Sequence, residues 1–256
     1  MLNLIQTLIL DLDGTVYLDG KPIKNIVEDL NCFKQKGGDI FYLSNNTSLS
    51  KLTYLEKLKN LNLTVDFDDI ITPTTIAGAY LSKKYSKGFF LGTKDFSNEL
   101  NDFYNISYDE NNPEFVLIAF DKELTYCKLE LACKFINKGI PFYITHIDIA
   151  CPTINGPMPD CGSISKLIEI VTNKKPICDF GKPSMKMVDF INEKIKSHDK
   201  TLMVGDRIYT DMVIGEKLGV KNLLVFSGES KLEDFKENKN IRIDFYSETL
   251  SDFINE

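Results

Sequence analysis

No apolar run in the chain approaches the roughly 18 consecutive residues that a helical membrane span needs, so no such span is expected. The first ten residues hold no Lys or Arg, and Asp11 cuts the opening apolar run short. A secretory signal is therefore not expected, and the cytosol is the expected compartment. A clustered basic patch is also missing, and the formal charge is −7, which argues against a nucleic-acid partner. A small anionic substrate stays open, because one metal ion and one lysine can supply positive charge locally. None of the six cysteines (Cys32, Cys127, Cys133, Cys151, Cys161, Cys178) forms a C-x-x-C pair, which removes the usual zinc and thioredoxin signatures. A site from His146, Cys151 and Cys161 would lack the tight pairing that zinc sites use, so the cysteines read as small apolar residues. Internal repeats and low-complexity tracts are absent.

What is present is a chain of 256 residues, 43% hydrophobic, long enough for one large or two modest domains with real cores. Its organising stretch is Thr7-Leu8-Ile9-Leu10-Asp11-Leu12-Asp13-Gly14-Thr15. An apolar run that stops at a turn signal reads as a buried strand, and strands buried on both faces belong to parallel α/β sheets. Ligands of such sheets sit beyond the carboxyl ends of the strands, where Asp11 and Asp13 fall. Two acids so close repel unless a cation or a shared proton offsets them. The expectation is a Mg²⁺-dependent phosphoryl-transfer site with Asp11 attacking. Asp19-Gly20 marks a hairpin tip beside the carboxylates, and a helix over 24–36 ends at Gly37-Gly38.

The pattern then repeats. Ile40-Phe41-Tyr42-Leu43 stops at Ser44-Asn45-Asn46-Thr47, and a helix with Leu52, Leu55 and Leu58 on one stripe is expected next. A strand end running into a helix N-terminus is a natural phosphate site; the competing reading of Ser44, Asn45 and Thr47 is a helix cap and turn. Strands and helices alternating over 75–178 make a second small α/β unit, with the Pro- and Gly-rich loop 151–162 near its end. Lys182 follows Gly181 and precedes a Pro and a helix start. Leu202-Met203-Val204-Gly205 ends at Asp206, and Asp211 opens a helix over 212–218. After Ser230 the tail is charged and carries no functional signal.

Three strand ends thus supply acids for a metal, a hydroxyl and amide for phosphate oxygens, and a lysine nearby, the mix that phosphoryl transfer uses. Asp11-Leu12-Asp13-Gly14-Thr15-Val16-Tyr17, Leu43-Ser44-Asn45-Asn46, Gly181-Lys182-Pro183-Ser184 and Gly205-Asp206-Arg207 through Thr210-Asp211 together resemble the haloacid dehalogenase superfamily. The branch that they resemble is that of the cap-bearing, NagD-like phosphatases, and the resemblance covers nearly the whole chain. It implies a Rossmann-like parallel-sheet core at 1–74 and 179–256 and an inserted α/β cap at 75–178, of the type placed between the second and third motifs. It implies Mg²⁺ held by Asp11, Asp13 (through its backbone carbonyl), Asp206 and Asp211. Asp11 would be the nucleophile that forms an aspartyl-phosphate, and Asp13 the general acid and base. Ser44 and Lys182 would complete the catalytic set, with Lys182 offsetting charge and Asp211 orienting metal-bound water or Lys182. Gly14, Asn45 and Asn46 would contact phosphate. The branch commonly has Thr-Asn followed by Pro-Asp where this chain has Thr145-His146-Ile147-Asp148, and His146 with Asp148 is expected either to line the cap face over the substrate or to structure its loop. The implied activity is hydrolysis of small phosphomonoesters, with no nucleic-acid or membrane partner and a homodimer through the cap. The alternatives are a phosphotransferase or mutase, and a catalytically silent binding protein on the same scaffold.

Overall fold

The opening apolar run folds as β1 (Thr7–Asp11), with every residue buried. The computed structural model describes residues 4–153 and 155–255; Met1, Leu2, Asn3, Ile154 (within the expected loop 151–162) and Glu256 lie outside the described residues. After β1 come the hairpin β2 (Tyr17–Leu18) and β3 (Lys21–Pro22), α1 (Ile26–Gln35), β4 (Asp39–Leu43), α2 (Lys51–Asn60) and β5 (Ile70–Ile71). The middle of the chain holds α3 (Pro73–Leu81), β6 (Lys87–Leu91), α4 (Lys94–Tyr104), β7 (Ser107–Tyr108), β8 (Val116–Ile118), α5 (Tyr126–Asn137), β9 (Phe142–Ile144), the short pair β10 (Ala150–Cys151) and β11 (Met158–Pro159), and α6 (Cys161–Thr172). The last third is α7 (Met185–Asn192), β12 (Thr201–Gly205), α8 (Val213–Leu218), β13 (Lys221–Val225), α9 (Leu232–Glu237), β14 (Phe245–Ser247) and α10 (Leu250–Asn255).

The chain divides into two compact units. The first comprises Met1–Ser44, Leu52–Ile71 and Lys182–Glu256. It is built on a six-stranded sheet ordered β14-β13-β12-β1-β4-β5, with every pairing parallel. Chain order reverses at β1, which lies between β12 and β4, and such a switch point is where ligands bind in doubly wound sheets. Register brings the strand ends level. Leu10 pairs with Val204, and Asp11 with Leu43. Asp206 and Ser44 therefore start just beyond the same line as Asp11. Leu8, Ile9, Leu10, Tyr42, Leu202, Met203, Val204, Leu223 and Leu224 fill the sheet and are fully buried. The hairpin tip forms as the Asp-Gly step predicts: Asp19 and Gly20 both take positive φ, 50° and 76°, as a two-residue primed turn requires.

The second unit comprises Asn45–Lys51 and Thr72–Gly181. Its four-stranded parallel sheet is ordered β7-β6-β8-β9. Phe89, Leu91, Val116, Ile118, Phe135, Ile136, Phe142, Ile144, Ile164 and Ile168 form its core between the sheet and the helices α5 and α6.

Three expectations are corrected. The helix after Ser44 does not begin at the strand end: seven residues intervene before Lys51, so Ser44 and Asn45 are not at a helix N-terminus. Its inward face is Tyr54 and Leu58, while Leu52 is 45% exposed. Asp211 does not open an α-helix but lies buried inside a π-helical turn, Ile208–Met212, that precedes α8. Within the charged tail, to which the sequence reading gives no element, β14 pairs along β13 through Val225 and Ser247 and adds an edge strand.

Candidate active site

The first unit gathers Asp11, Asp206, Asp211 and Lys182. Each of the three acids offers a carboxylate oxygen within 4.8 Å of the other two. Lys182, 3% exposed, donates to Asp11 Oδ1 and, at 2.7 Å, to Asp211 Oδ1. The other oxygen of Asp211 accepts the Arg207 backbone N–H at 3.1 Å. The π-helical turn is what allows this: it tucks Asp211 back against β12, where a Cβ on Gly205 would sit 2.4 Å from the Asp211 Cβ. Gly14 serves Asp206 in the same way. Its φ of +91° suits glycine, and a Cβ there would meet Asp206 Oδ2 at 2.5 Å.

Asp206 Oδ2 accepts the Glu229 N–H at 2.6 Å, while its Oδ1 is buried with no protein partner among the described residues. A buried carboxylate oxygen without a partner is costly unless a ligand takes it. Hard oxygen donors crowded with negative charge are what a divalent cation of the magnesium type takes. The residues present therefore fit such an ion.

Electrostatics point the same way. Burial pushes the Asp11 carboxyl well up, against the pull of Lys182, and Asp211 and Asp206 push it further. Burial, then Asp211, push Asp206 up to about 6. For Lys182 burial acts to lower the pKa, but Asp11 and Asp211 outweigh it and hold the ammonium above lysine's ordinary range. Lys182 and the partly buried Arg207, itself paired with Glu229, face three acids, so positive charge is in deficit.

Asp13 stands apart from this cluster. Its side chain is exposed, and Oδ2 accepts the Tyr17 hydroxyl at 3.3 Å. Ser44 is buried at the end of β4, with its hydroxyl 2.9 Å from the Tyr54 hydroxyl and its N–H donating to Ile71 O. Sequence reasoning missed Tyr54, and it gave Tyr17 no role of its own. Spacing on a helix face carries no mark that a tyrosine hydroxyl reaches a strand end.

Comparison with known proteins settles the family. The model for haloacid dehalogenase-like hydrolases matches residues 8–104, and a HAD-hydrolase-like model matches 179–253. The structure superposes on a 4-nitrophenylphosphatase from Thermotoga maritima with a TM-score of 0.92 and 37% identity, covering 100% of this chain and 98% of that one. The chain belongs to the haloacid dehalogenase-like hydrolases. It is also similar to a 5′-nucleotidase of Bacillus subtilis, 26% identical over 233 residues, which are 90% of each chain. A third relative is an acid sugar phosphatase of Staphylococcus haemolyticus, 27% identical over 232 residues, covering 90% of this chain and 88% of that one.

In this hydrolase the remaining predicted residues fall in the second unit. Asn45 is buried and donates through Nδ2 to Asp148 Oδ2 at 3.1 Å. Asn46 Oδ1 accepts both the N–H and the hydroxyl of Ser48, which closes a tight turn. Thr47 Oγ1 accepts the Phe120 N–H and pairs with Thr145 Oγ1. Asp95 and Glu99 on α4 accept the N–H groups of Ser50 and Lys51. The segment after Ser44 is thus laced to the strand ends and helix of the second unit.

His146 is wholly buried, with Nε2 2.8 Å from Asp160 Oδ1 and Nδ1 3.0 Å from Thr145 Oγ1. Both ring nitrogens are engaged, so His146 structures its loop and offers no edge to a ligand. Nor do Cys151 and Cys161 join it: Cys161 Sγ is buried against Ile118 O, and the acids that cluster with His146 are Asp148 and Asp160. Among the described residues no helix is long and apolar enough to cross a membrane.

Proposed function

We propose that this protein is a Mg²⁺-dependent phosphatase of small phosphomonoesters that works through an aspartyl-phosphate on Asp11. The observation that carries the reading is the Lys182 bridge between Asp11 and Asp211 beside the uncommitted Asp206 Oδ1. It supports a nucleophile held in place, a lysine to offset phosphoryl charge, and a seat for a cation. Asp11, Asp206 and the Asp13 backbone carbonyl would hold Mg²⁺, which when bound offsets the clustered charge and polarises a phosphoryl oxygen. Asp211, with both oxygens engaged, holds Lys182 in place.

In the first step Asp11 attacks phosphorus as the ester P–O bond breaks, and Asp13 gives its proton to the leaving alkoxide. In the second, Asp13 takes a proton from water. The resulting hydroxide attacks phosphorus, the acyl-phosphate P–O bond breaks, and inorganic phosphate leaves with Asp11 restored. The Ser44 hydroxyl donates to a phosphoryl oxygen, and Gly14 keeps the backbone close to the site. The second unit acts as the cap that selects the leaving group, with Asp148 holding Asn45 and Thr145, backed by His146, holding Thr47. The names of the relatives support a phosphomonoester substrate: 4-nitrophenyl phosphate, sugar phosphates and nucleotides are the classes to screen.

The second unit also carries an exposed apolar face. Ile149, Leu167, Ile170 and Val171 surround Ser163 and Lys166 along α6, and Ile170 is 81% exposed. Its proposed occupant is the same face of a second copy, since one apolar face can be self-complementary about a two-fold axis. Release of inorganic phosphate from a panel of phosphomonoesters, with Mg²⁺ or with EDTA, tests the activity. No release from any ester would end the phosphatase reading.

A further inference from the structure

Two buried tyrosines stand behind the two side chains that handle opposite ends of the scissile bond. Tyr17, in the flap strand β2, is 0% exposed, and its hydroxyl donates to Asp13 Oδ2. The pairing is built into the backbone too: Gly14 N–H donates to Tyr17 O, and Tyr17 N–H to Leu12 O, which ties the flap to the acid-bearing turn. Lys57 on α2 places Nζ 3.6 Å from the Tyr17 ring centroid, a cation–π contact that helps hold the ring in place. At 3.3 Å this contact lies just beyond the about 2.5–3.0 Å usual for an O–H···O bond. Tyr54, also on α2 and 1% exposed, reaches Ser44 Oγ at 2.9 Å.

We infer that Tyr17 is a positioning residue for the proton donor Asp13 and Tyr54 a positioning residue for the phosphoryl contact Ser44. This rests on the phosphatase reading above. The Tyr17 hydroxyl fixes the rotation of the Asp13 carboxyl by occupying Oδ2, so Oδ1 is the oxygen that carries the proton to the leaving group. The hydrogen bond between the Tyr54 and Ser44 hydroxyls fixes the rotation of the serine side chain that contacts the phosphoryl group. The two therefore differ in what they sense. Tyr17 acts on the leaving group, Tyr54 on the phosphoryl group common to every substrate.

The test compares two esters on one enzyme preparation. 4-Nitrophenyl phosphate expels a stable phenolate and needs little protonation. Glycerol phosphate expels an alkoxide and depends on it. Tyr17→Phe keeps the ring and its packing under Lys57 and removes only the oxygen. Its kcat/KM for glycerol phosphate is expected to fall about tenfold or more while that for 4-nitrophenyl phosphate stays within about twofold. Tyr54→Phe is expected to lower both by the same factor. Because the result is a ratio of two substrates on one sample, a lower folded fraction cancels. An unchanged ratio in Tyr17→Phe, a changed ratio in Tyr54→Phe, or a Tyr54→Phe whose two rates per folded enzyme (folded fraction from circular dichroism) stay at the wild-type values overturns the division of roles while the phosphatase reading stands. A wild-type enzyme inactive on both esters overturns both.

Discussion

Replacing Lys182 by Met removes one buried cation from two buried carboxylates. The side chains of Lys182, Asp11 and Asp211 are 3%, 11% and 0% exposed, so water cannot take the place of the lost ammonium. Removing one partner of a buried ion pair costs about 3–5 kcal/mol, because the other charge is left without compensation. The loss should depend on pH. Asp11 already has a raised pKa in the folded protein, by burial, and loses the Lys182 pull that opposes it. A carboxyl with a raised folded pKa contributes stability at low pH that is lost as pH rises. The contribution of Lys182 in the wild type, whose folded pKa is raised, is flat below lysine's unfolded pKa of about 10.4. The deficit of Lys182→Met should therefore widen as pH rises. Urea melts followed by circular dichroism, in EDTA so that no cation takes the freed carboxylates, measure it. The same variant should lose about 10²-fold or more in kcat/KM, since the transferred phosphoryl charge has lost a fixed counter-charge. A variant within about 1 kcal/mol of wild type at pH 8, or a deficit that shrinks as pH rises, would refute this reasoning.

Three further outcomes are expected. Glu99 is buried, its Oε1 has no partner among the described residues, and burial pushes its pKa up to about 7 from 4.5. Its stabilising contribution is full below about pH 4.5 and is lost as pH rises through 7, so Glu99→Gln should be more stable than wild type at pH 8, by up to about 3 kcal/mol, and level with it at pH 4.5 in thermal melts. Gly14→Ala forces a Cβ toward Asp206 Oδ2 at a positive φ; it should cost about 1–3 kcal/mol and raise the Mg²⁺ concentration needed for half-maximal activity, which a Mg²⁺ titration reads. Sedimentation should give a dimer of the 29.1 kDa chain, and Ile170→Glu with Val171→Glu should return it to monomer while each chain keeps its activity.

The parts of the fold legible in the sequence were those set by burial alone. The apolar runs of β1, β4, β12 and β13 read as buried strands because nothing polar interrupts them, and the parallel α/β sheet followed from their alternation with helices. Asp11, Ser44 and Asp206 were legible as chemistry because each ends an apolar run, whereas the roles of Lys182 and Asp211 followed from the resemblance of their motifs. What the pattern could not carry was any feature where a polar partner decides the geometry. Lys51 is buried while Leu52 is exposed, since the N–H groups that open α2 are held by Asp95 and Glu99, far off in the chain. A period count puts the leucines inward and misses this. The π-helical turn around Asp211 exists because Lys182 and the Arg207 N–H take its two oxygens. The motif position of His146 left a substrate-facing and a loop-structuring role equally open, because the sequence does not show that Asp160 and Thr145 engage both its nitrogens in the interior. β14 was missed because three residues at a sheet edge leave too short a pattern to stand out from a charged tail.

The central claim is that Asp11 attacks phosphorus with a divalent cation in place. It is tested most directly by phosphate release from 4-nitrophenyl phosphate by wild type and Asp11→Asn, each with Mg²⁺ and with EDTA. Release by wild type in Mg²⁺ alone, with Asp11→Asn silent in both, is the predicted result. Turnover that survives EDTA, or that persists in Asp11→Asn, would contradict it.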